Sequence, residues 1–258
     1  MPSKKSQKTN EAEIIRSEMR SLSDPAKARV LARFFKTGPG DYGEGDRFYG
    51  VIVPKIRGVA KAHRKAPRRE IRKLLCSQFH EERLAALLIL VDQYQRGNDL
   101  QKREIYDLYL ASTAHINNWD LVDLTAQHIV GAYLKGKETS VLTRLALSKS
   151  LWERRIAMLA TYHFIRLGDS GETLRIAELL QRDPHDLIHK AVGWMLREVG
   201  KRCSLKAECE FLDAHAATMP RTMLRYAIER FPEKLRLHYL KGPQRIQESG
   251  AGKQNETC

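Results

Sequence analysis

Apolar residues recur every three to four positions through ERLAALLILVDQY (82–94), NNWDLVDLTAQHIVGAYL (117–134) and KAVGWMLREVGK (190–201). That spacing places them on one face of an α-helix, and each run predicts one. No stretch alternates polar and apolar residues with β-branched enrichment, so the pattern predicts an all-α chain. Helix starts are marked in the usual way. Ser23-Asp24-Pro25 supplies a cap followed by proline at the first helical position. Asp183-Pro184 and Met219-Pro220 precede further helical runs in the same manner. The segment TGPGDYGEGD (37–46) predicts a loop.

The helices repeat. HEERLAALLILV, INNWDLVDLTAQ, WERRIAMLATYH and LIHKAVGWMLRE align with Arg83, Trp119, Arg155 and Lys190 in one column, at intervals of 36, 36 and 35 residues. PRTMLRYAIERF follows after a shorter interval. Each unit pairs a variable first helix with a better-patterned second one. A helix pair cannot bury its apolar face alone, so neighbours must stack. The expected architecture is a HEAT-like α-solenoid of stacked antiparallel helix pairs, curved, with a basic concave face. Its single domain is expected over 10–240, with a flexible N-terminus (1–9) and a flexible tail (241–258).

Composition sharpens the picture at two points. Hydrophobic residues make up 42% of the 258-residue chain and charged residues 29%, with a mean hydropathy of −0.48. These values suit a soluble protein with a sizeable core. The formal net charge is +14 and the pI about 9.7. Such an excess favours a polyanionic partner, because cations that neutralise phosphates release condensed counterions; the alternative is a basic, solvated surface. Cys76, Cys203, Cys209 and Cys258 form no C-x-x-C pair, so free thiols are expected and a zinc site is not. No apolar run approaches membrane-spanning length, and the polar N-terminus lacks the apolar stretch of a secretory signal. A cytoplasmic location is the default expectation, nucleoid-associated if the polyanion is DNA.

The repeat register also gathers unusual side chains. Trp119 and Asp123 fall on one stripe of the second unit, Arg155 and Leu159 on that of the third, and Lys190, Trp194 and Arg197 on that of the fourth. Leu121, Val122, Leu124, Ile156, Leu159, Val192 and Leu196 are the core candidates. An aromatic and cationic stripe holding one carboxylate suits a damaged nucleotide: cations hold phosphates, indoles pack on sugars, and a carboxylate stabilises positive charge at the anomeric carbon. The plainer alternatives are tryptophans in the core, Asp123 as a salt-bridge partner of Arg155 or a helix cap, and cations on a solvated face.

NNWDLVD (117–123), LWERRIAML (151–159) and DLIHKAVGWMLREVGKR (186–202), with the weaker FYGVIVPKIR (48–57), resemble the DNA alkylation repair family and its AlkD-like alkylpurine DNA glycosylases. The resemblance implies a monofunctional glycosylase that releases cationic N3- and N7-alkylated purines from duplex DNA. It implies Asp123 as the catalytic carboxylate, with Trp119 and Trp194 against the sugar and phosphate. Arg155 and Arg197 would meet the DNA backbone, to which the repeat column adds Lys190. No metal or cofactor is implied, and a monomer is expected. Ile52 stands where the family has a polar residue, and Leu187 where it has an aromatic one. Lys190 is read as a phosphate contact or a packed stem, so no lyase step is expected. The competing readings are a non-catalytic DNA- or RNA-structure binder and a protein-interaction scaffold.

Overall fold

The computed structural model describes residues 10–241. The flexible ends expected at 1–9 and 241–258 lie outside these residues, apart from Lys241, which closes the last helix. The chain divides into two compact units, Met1–Tyr133 and Leu134–Cys258.

In the first unit the helices are α1 (Glu11–Ser21), α2 (Pro25–Phe34), α3 (Val53–Ala62), α4 (Arg68–Leu75), α5 (His80–Arg96), α6 (Asp99–Leu110) and α7 (Trp119–Asp123). A short helix, α8 (Ala132–Leu134), spans the division. The second unit holds α9 (Ser140–Ala146), α10 (Leu151–Ala160), α11 (Tyr162–Ile165), α12 (Gly171–Leu180), α13 (Asp186–Arg202), α14 (Leu205–His215), α15 (Arg221–Ala227) and α16 (Glu233–Lys241). Among the described residues the β pairing is one isolated bridge, Arg47 with Phe79. No described helix is long and apolar enough to cross a membrane.

Stacking is between near neighbours in the chain. α5 packs on α3, α4 and α6; α10 packs on α9, α12 and α13; α13 packs on α12, α14 and α15. This is the α-solenoid-like pattern that the repeat predicts, since helices cover their apolar faces against near neighbours in the chain. The column residues Arg83, Arg155 and Lys190 all fall near the starts of α5, α10 and α13, and Trp119 opens α7. Leu121, Val122, Ile156, Leu159, Val192 and Leu196 are buried as expected, while Leu124 is only half-buried.

Local chemistry explains the ends. Asp24 caps α2, its carboxylate accepting from the amides of Ala26 (3.1 Å) and Lys27 (3.0 Å), and Pro25 occupies the first helical position. The start expected at Asp183-Pro184 falls later. His185 caps α13 through Nδ1, which accepts from the Leu187 amide at 3.1 Å, and Asp183 is instead taken by Arg154 at 2.6 Å. Gly193 is required by close approach. A Cβ there would come within 2.3 Å of the Met223 carbonyl oxygen, so any side chain would push α15 off α13.

The largest departure from the sequence pattern is at 117–134. Periodicity predicts one helix, yet α7 stops after Asp123, and Gln127–Gly131 form a π-helical turn. The Thr125 hydroxyl donates back to the Leu121 carbonyl, and Tyr109 meets the same hydroxyl at 2.9 Å. A back-bonded threonine competes with the helical ladder and bends it, and π-turns frequently accompany functional sites.

Candidate functional site

The break after α7 leaves Asp123 as the last residue of a short helix, half-buried. It lines a cavity of about 330 Å³ with Arg57, Lys61, Gln95, Leu124, Gln127 and His128 among its walls. The carboxylate therefore shares one recess with two lysine or arginine side chains and one imidazole.

Trp119 lies one turn before Asp123 on the same face of α7. Its ring stacks on Phe35 (centroids 5.1 Å apart, 25° between planes) and meets Phe34 edge-on at 5.7 Å. Phe35 continues the cluster onto Phe48 at 5.3 Å and His80 at 4.8 Å. Trp119 is half-buried rather than lost in the core, so one part of the indole is fixed and another stays accessible.

Beneath α7 the first turn of α5 forms a buried polar hub. His80, Glu81, Glu82 and Arg83 are each at most 3% exposed. His80 donates Nδ1–H to Asp46 (3.2 Å) and Nε2–H to Asp120 (2.8 Å), the second residue of α7. Arg83 donates to Asp46 at 2.7 Å and to the Ser77 carbonyl at 2.9 Å. Glu81 accepts from the amides of Tyr49, Gly50 and Val51 at 3.1, 2.8 and 3.2 Å. Glu82 accepts from the Tyr49 hydroxyl at 2.6 Å and from Arg16 at 3.1 Å. Four consecutive side chains thus tie α1, the 46–51 loop and α7 to one helix end. The sequence gives little warning of this, because a His-Glu-Glu-Arg run before an apolar stretch looks like a solvated first turn. The only hint was Arg83 in the repeat column.

Burial pushes the His80 pKa down, but the charge and hydrogen bond of Asp120, with the hydrogen bond of Asp46, outweigh it and raise it to about 9. Burial also pushes Asp46 up; the His80 hydrogen bond and the charges of Arg83 and His80 reverse this and hold it low. His80 is therefore a doubly donating imidazolium near neutral pH. Its folded value exceeds its ordinary 6.5, so its contribution is complete below pH 6.5 and fades as pH rises through 9. We expect the stability advantage of the wild type over His80→Gln to be about 3 kcal/mol at pH 6, to shrink between pH 6.5 and 9, and to be lost above that. Urea unfolding of both proteins across that range measures it; a difference constant with pH would mean that His80 is not charged.

The second unit carries the other candidates. On α13, Lys190, Trp194 and Arg197 share a face. Lys190 pairs with Asp186 at 2.7 Å, and Arg197 pairs with Glu229. Trp194 is half-buried, its ring 6.2 Å from that of Tyr162. Arg155 on α10 is only 5% exposed and donates to the Leu187 carbonyl at 2.5 Å, joining α10 to the start of α13. Leu187 is thus engaged through its backbone, while its side chain is half-buried. Ile52 caps α3 in the first unit, is 44% exposed, and lines a separate recess with Asp24, Gly50 and Lys55.

The second unit also holds a carboxyl that sequence reading passed over. Glu208 on α14 is 1% exposed, and its Oε1 has no hydrogen-bond partner. The Nε of Arg197 is likewise buried without one. Gly200 makes room for this carboxyl: a Cβ there would come within 1.7 Å of Glu208 Oε2. Burial raises the Glu208 pKa to about 8, against the opposing charge of Arg197.

Residues 15–231 match the family model described as DNA alkylation repair enzyme. A solved structure titled "Predicted DNA alkylation repair enzyme from Enterococcus faecalis" is similar with a TM-score of 0.63, covering 82% of this chain and 98% of that one at 15% identity. At that identity the likeness bears on the fold alone. No curated protein sequence matches.

Proposed function

Because the chain belongs to the DNA alkylation repair enzyme family, we propose that it is an alkylpurine DNA glycosylase of the AlkD-like kind, hydrolysing the N-glycosidic bond of cationic N3- or N7-alkylated purines in duplex DNA. The observation that carries this reading is Asp123 at the α7 break, in an open recess beside Arg57 and Lys61.

An N3- or N7-alkylated purine is already positively charged, so it leaves as a neutral base without a strong general acid. The sugar then develops oxocarbenium character, and positive charge accumulates at the anomeric carbon. A carboxylate held near that carbon stabilises the transition state more than the ground state, which is what lowers the barrier. Asp123 takes this role. Trp119, with one part of its indole fixed on Phe35, and Trp194 present aromatic surface to the sugar and phosphate. Lys190 and Arg197 exchange Asp186 and Glu229 for backbone phosphates. Arg155, buried against the Leu187 carbonyl, enters as the residue that fixes the start of α13, a change from the direct phosphate contact implied by the resemblance. The reading needs no metal or cofactor and places a monomer on DNA in the cytoplasm.

Base release from methylated duplex DNA by the wild-type protein tests it. Release of 7-methylguanine is the expected result. Salt-sensitive duplex binding without any release would instead favour a non-catalytic binder on the same scaffold.

A further inference from the structure

Arg57 and Lys61 lie four residues apart on α3, and Arg64 and Lys65 extend the same line into the turn that follows it. All four are exposed, and none forms an ion pair with a described residue. Their neighbours differ in this respect. Arg68 is held by Glu104 at 2.8 Å, and Arg96 by Asp92 at 3.0 Å.

The stripe links two recesses. Arg57 and Lys61 line the cavity that contains Asp123. Arg64 and Lys65 line an adjoining groove of about 600 Å³, with Arg68, Arg96, Gln93 and Gln101. Asp92 lines both, so the two lie on either side of one residue of α5. The turn is fixed in place: Gln93 on α5 donates to the carbonyls of Arg64 and Ala66, each at 2.9 Å. Like charges at this spacing destabilise an isolated helix by a few tenths of a kcal/mol per pair. An unneutralised row on an anchored scaffold suits a polyanion. From Arg57 to Lys61 the helix rises about 6 Å, and Arg64 and Lys65 carry the row on into the turn, a length suited to a few neighbouring phosphates of one strand.

We propose that this stripe is the track for the phosphate backbone of one DNA strand leaving the Asp123 recess, so that undamaged nucleotides flanking the lesion lie along the adjoining groove. The inference rests on the reading that duplex DNA is the substrate, and it needs no excision chemistry.

The test is fluorescence anisotropy of a labelled, undamaged duplex titrated with full-length protein over a range of salt. Neutralising all four cations, Arg57→Gln/Lys61→Gln/Arg64→Gln/Lys65→Gln, should flatten the slope of log affinity against log salt by about 3 to 4. The turn pair Arg64→Gln/Lys65→Gln, which leaves α3 unaltered, should flatten it by about 2. Lys55 and Arg72 are also exposed and unpaired among the described residues, but lie off the stripe, so Lys55→Gln/Arg72→Gln should leave the slope unchanged. A wild-type slope in the four-site variant, or an equal loss per charge in the off-stripe pair, would overturn the proposal. Base release with an unchanged slope would sink this inference alone. A flattened slope without base release from the wild type would sink the glycosylase reading and leave the track standing.

Discussion

Asp123→Asn is expected to slow release of 7-methylguanine from methylated duplex DNA by about a hundred- to a thousandfold, with duplex affinity nearly unchanged. The substitution is nearly isosteric; it removes the charge and exchanges one accepting oxygen for an amide donor. The break after α7 is made by Thr125 and Tyr109, and α7 is anchored by His80 through Asp120; neither depends on the Asp123 carboxylate, so the recess should keep its shape. Binding to undamaged DNA rests on cations, and losing one carboxylate beside Arg57 and Lys61 removes a repulsion from phosphate. The two effects therefore separate: the chemical step falls while affinity holds or rises slightly. Single-turnover base release beside anisotropy measures both. Wild-type excision by the variant would remove Asp123 from the mechanism.

The second large effect concerns stability and needs no substrate. Glu208 has an ordinary pKa near 4.5, raised by burial to about 8 in the folded chain. The folded state therefore keeps a proton that the unfolded state has released. Between these values the folded chain binds more protons, so stability falls as pH rises from about 4.5 to about 8, by up to about 5 kcal/mol. Glu208→Gln cannot ionise. It should match the wild type at pH 4.5 and exceed it increasingly up to pH 8, with a constant difference beyond. Thermal or urea unfolding at several pH values reads this directly. Equal stability of the two proteins at pH 8 would show that the buried carboxyl finds a partner when it ionises. His80 adds a decline between pH 6.5 and 9, and comparing each variant with the wild type keeps the two windows apart.

Much of this protein was legible in its residues. A helical period fixes which side chains must leave water, so Leu121, Ile156, Val192 and Leu196 could be placed in the core without coordinates. The interval near 36 residues demanded helices that stack on their neighbours, because none can cover its own apolar face. The cap at Asp24 and the loop at 37–46 followed from local chemistry alone, and the motifs around Trp119 and Trp194 carried the family resemblance. All of these depend on interactions between residues close in sequence or on a regular repeat.

The tertiary structure decided the rest, for the opposite reason. The break between Asp123 and the π-turn arises because Tyr109, brought in by α6, meets a threonine that already bonds back along its own helix. The burial of His80, Glu81, Glu82 and Arg83 arises because the 46–51 loop, α1 and α7 close over one helix end. Charged residues read as exposed until their distant partners are known. Asp123 was singled out by its motif; its recess with Arg57 and Lys61 is made by a separate helix more than fifty residues earlier in the chain, and only folding brings that helix beside it.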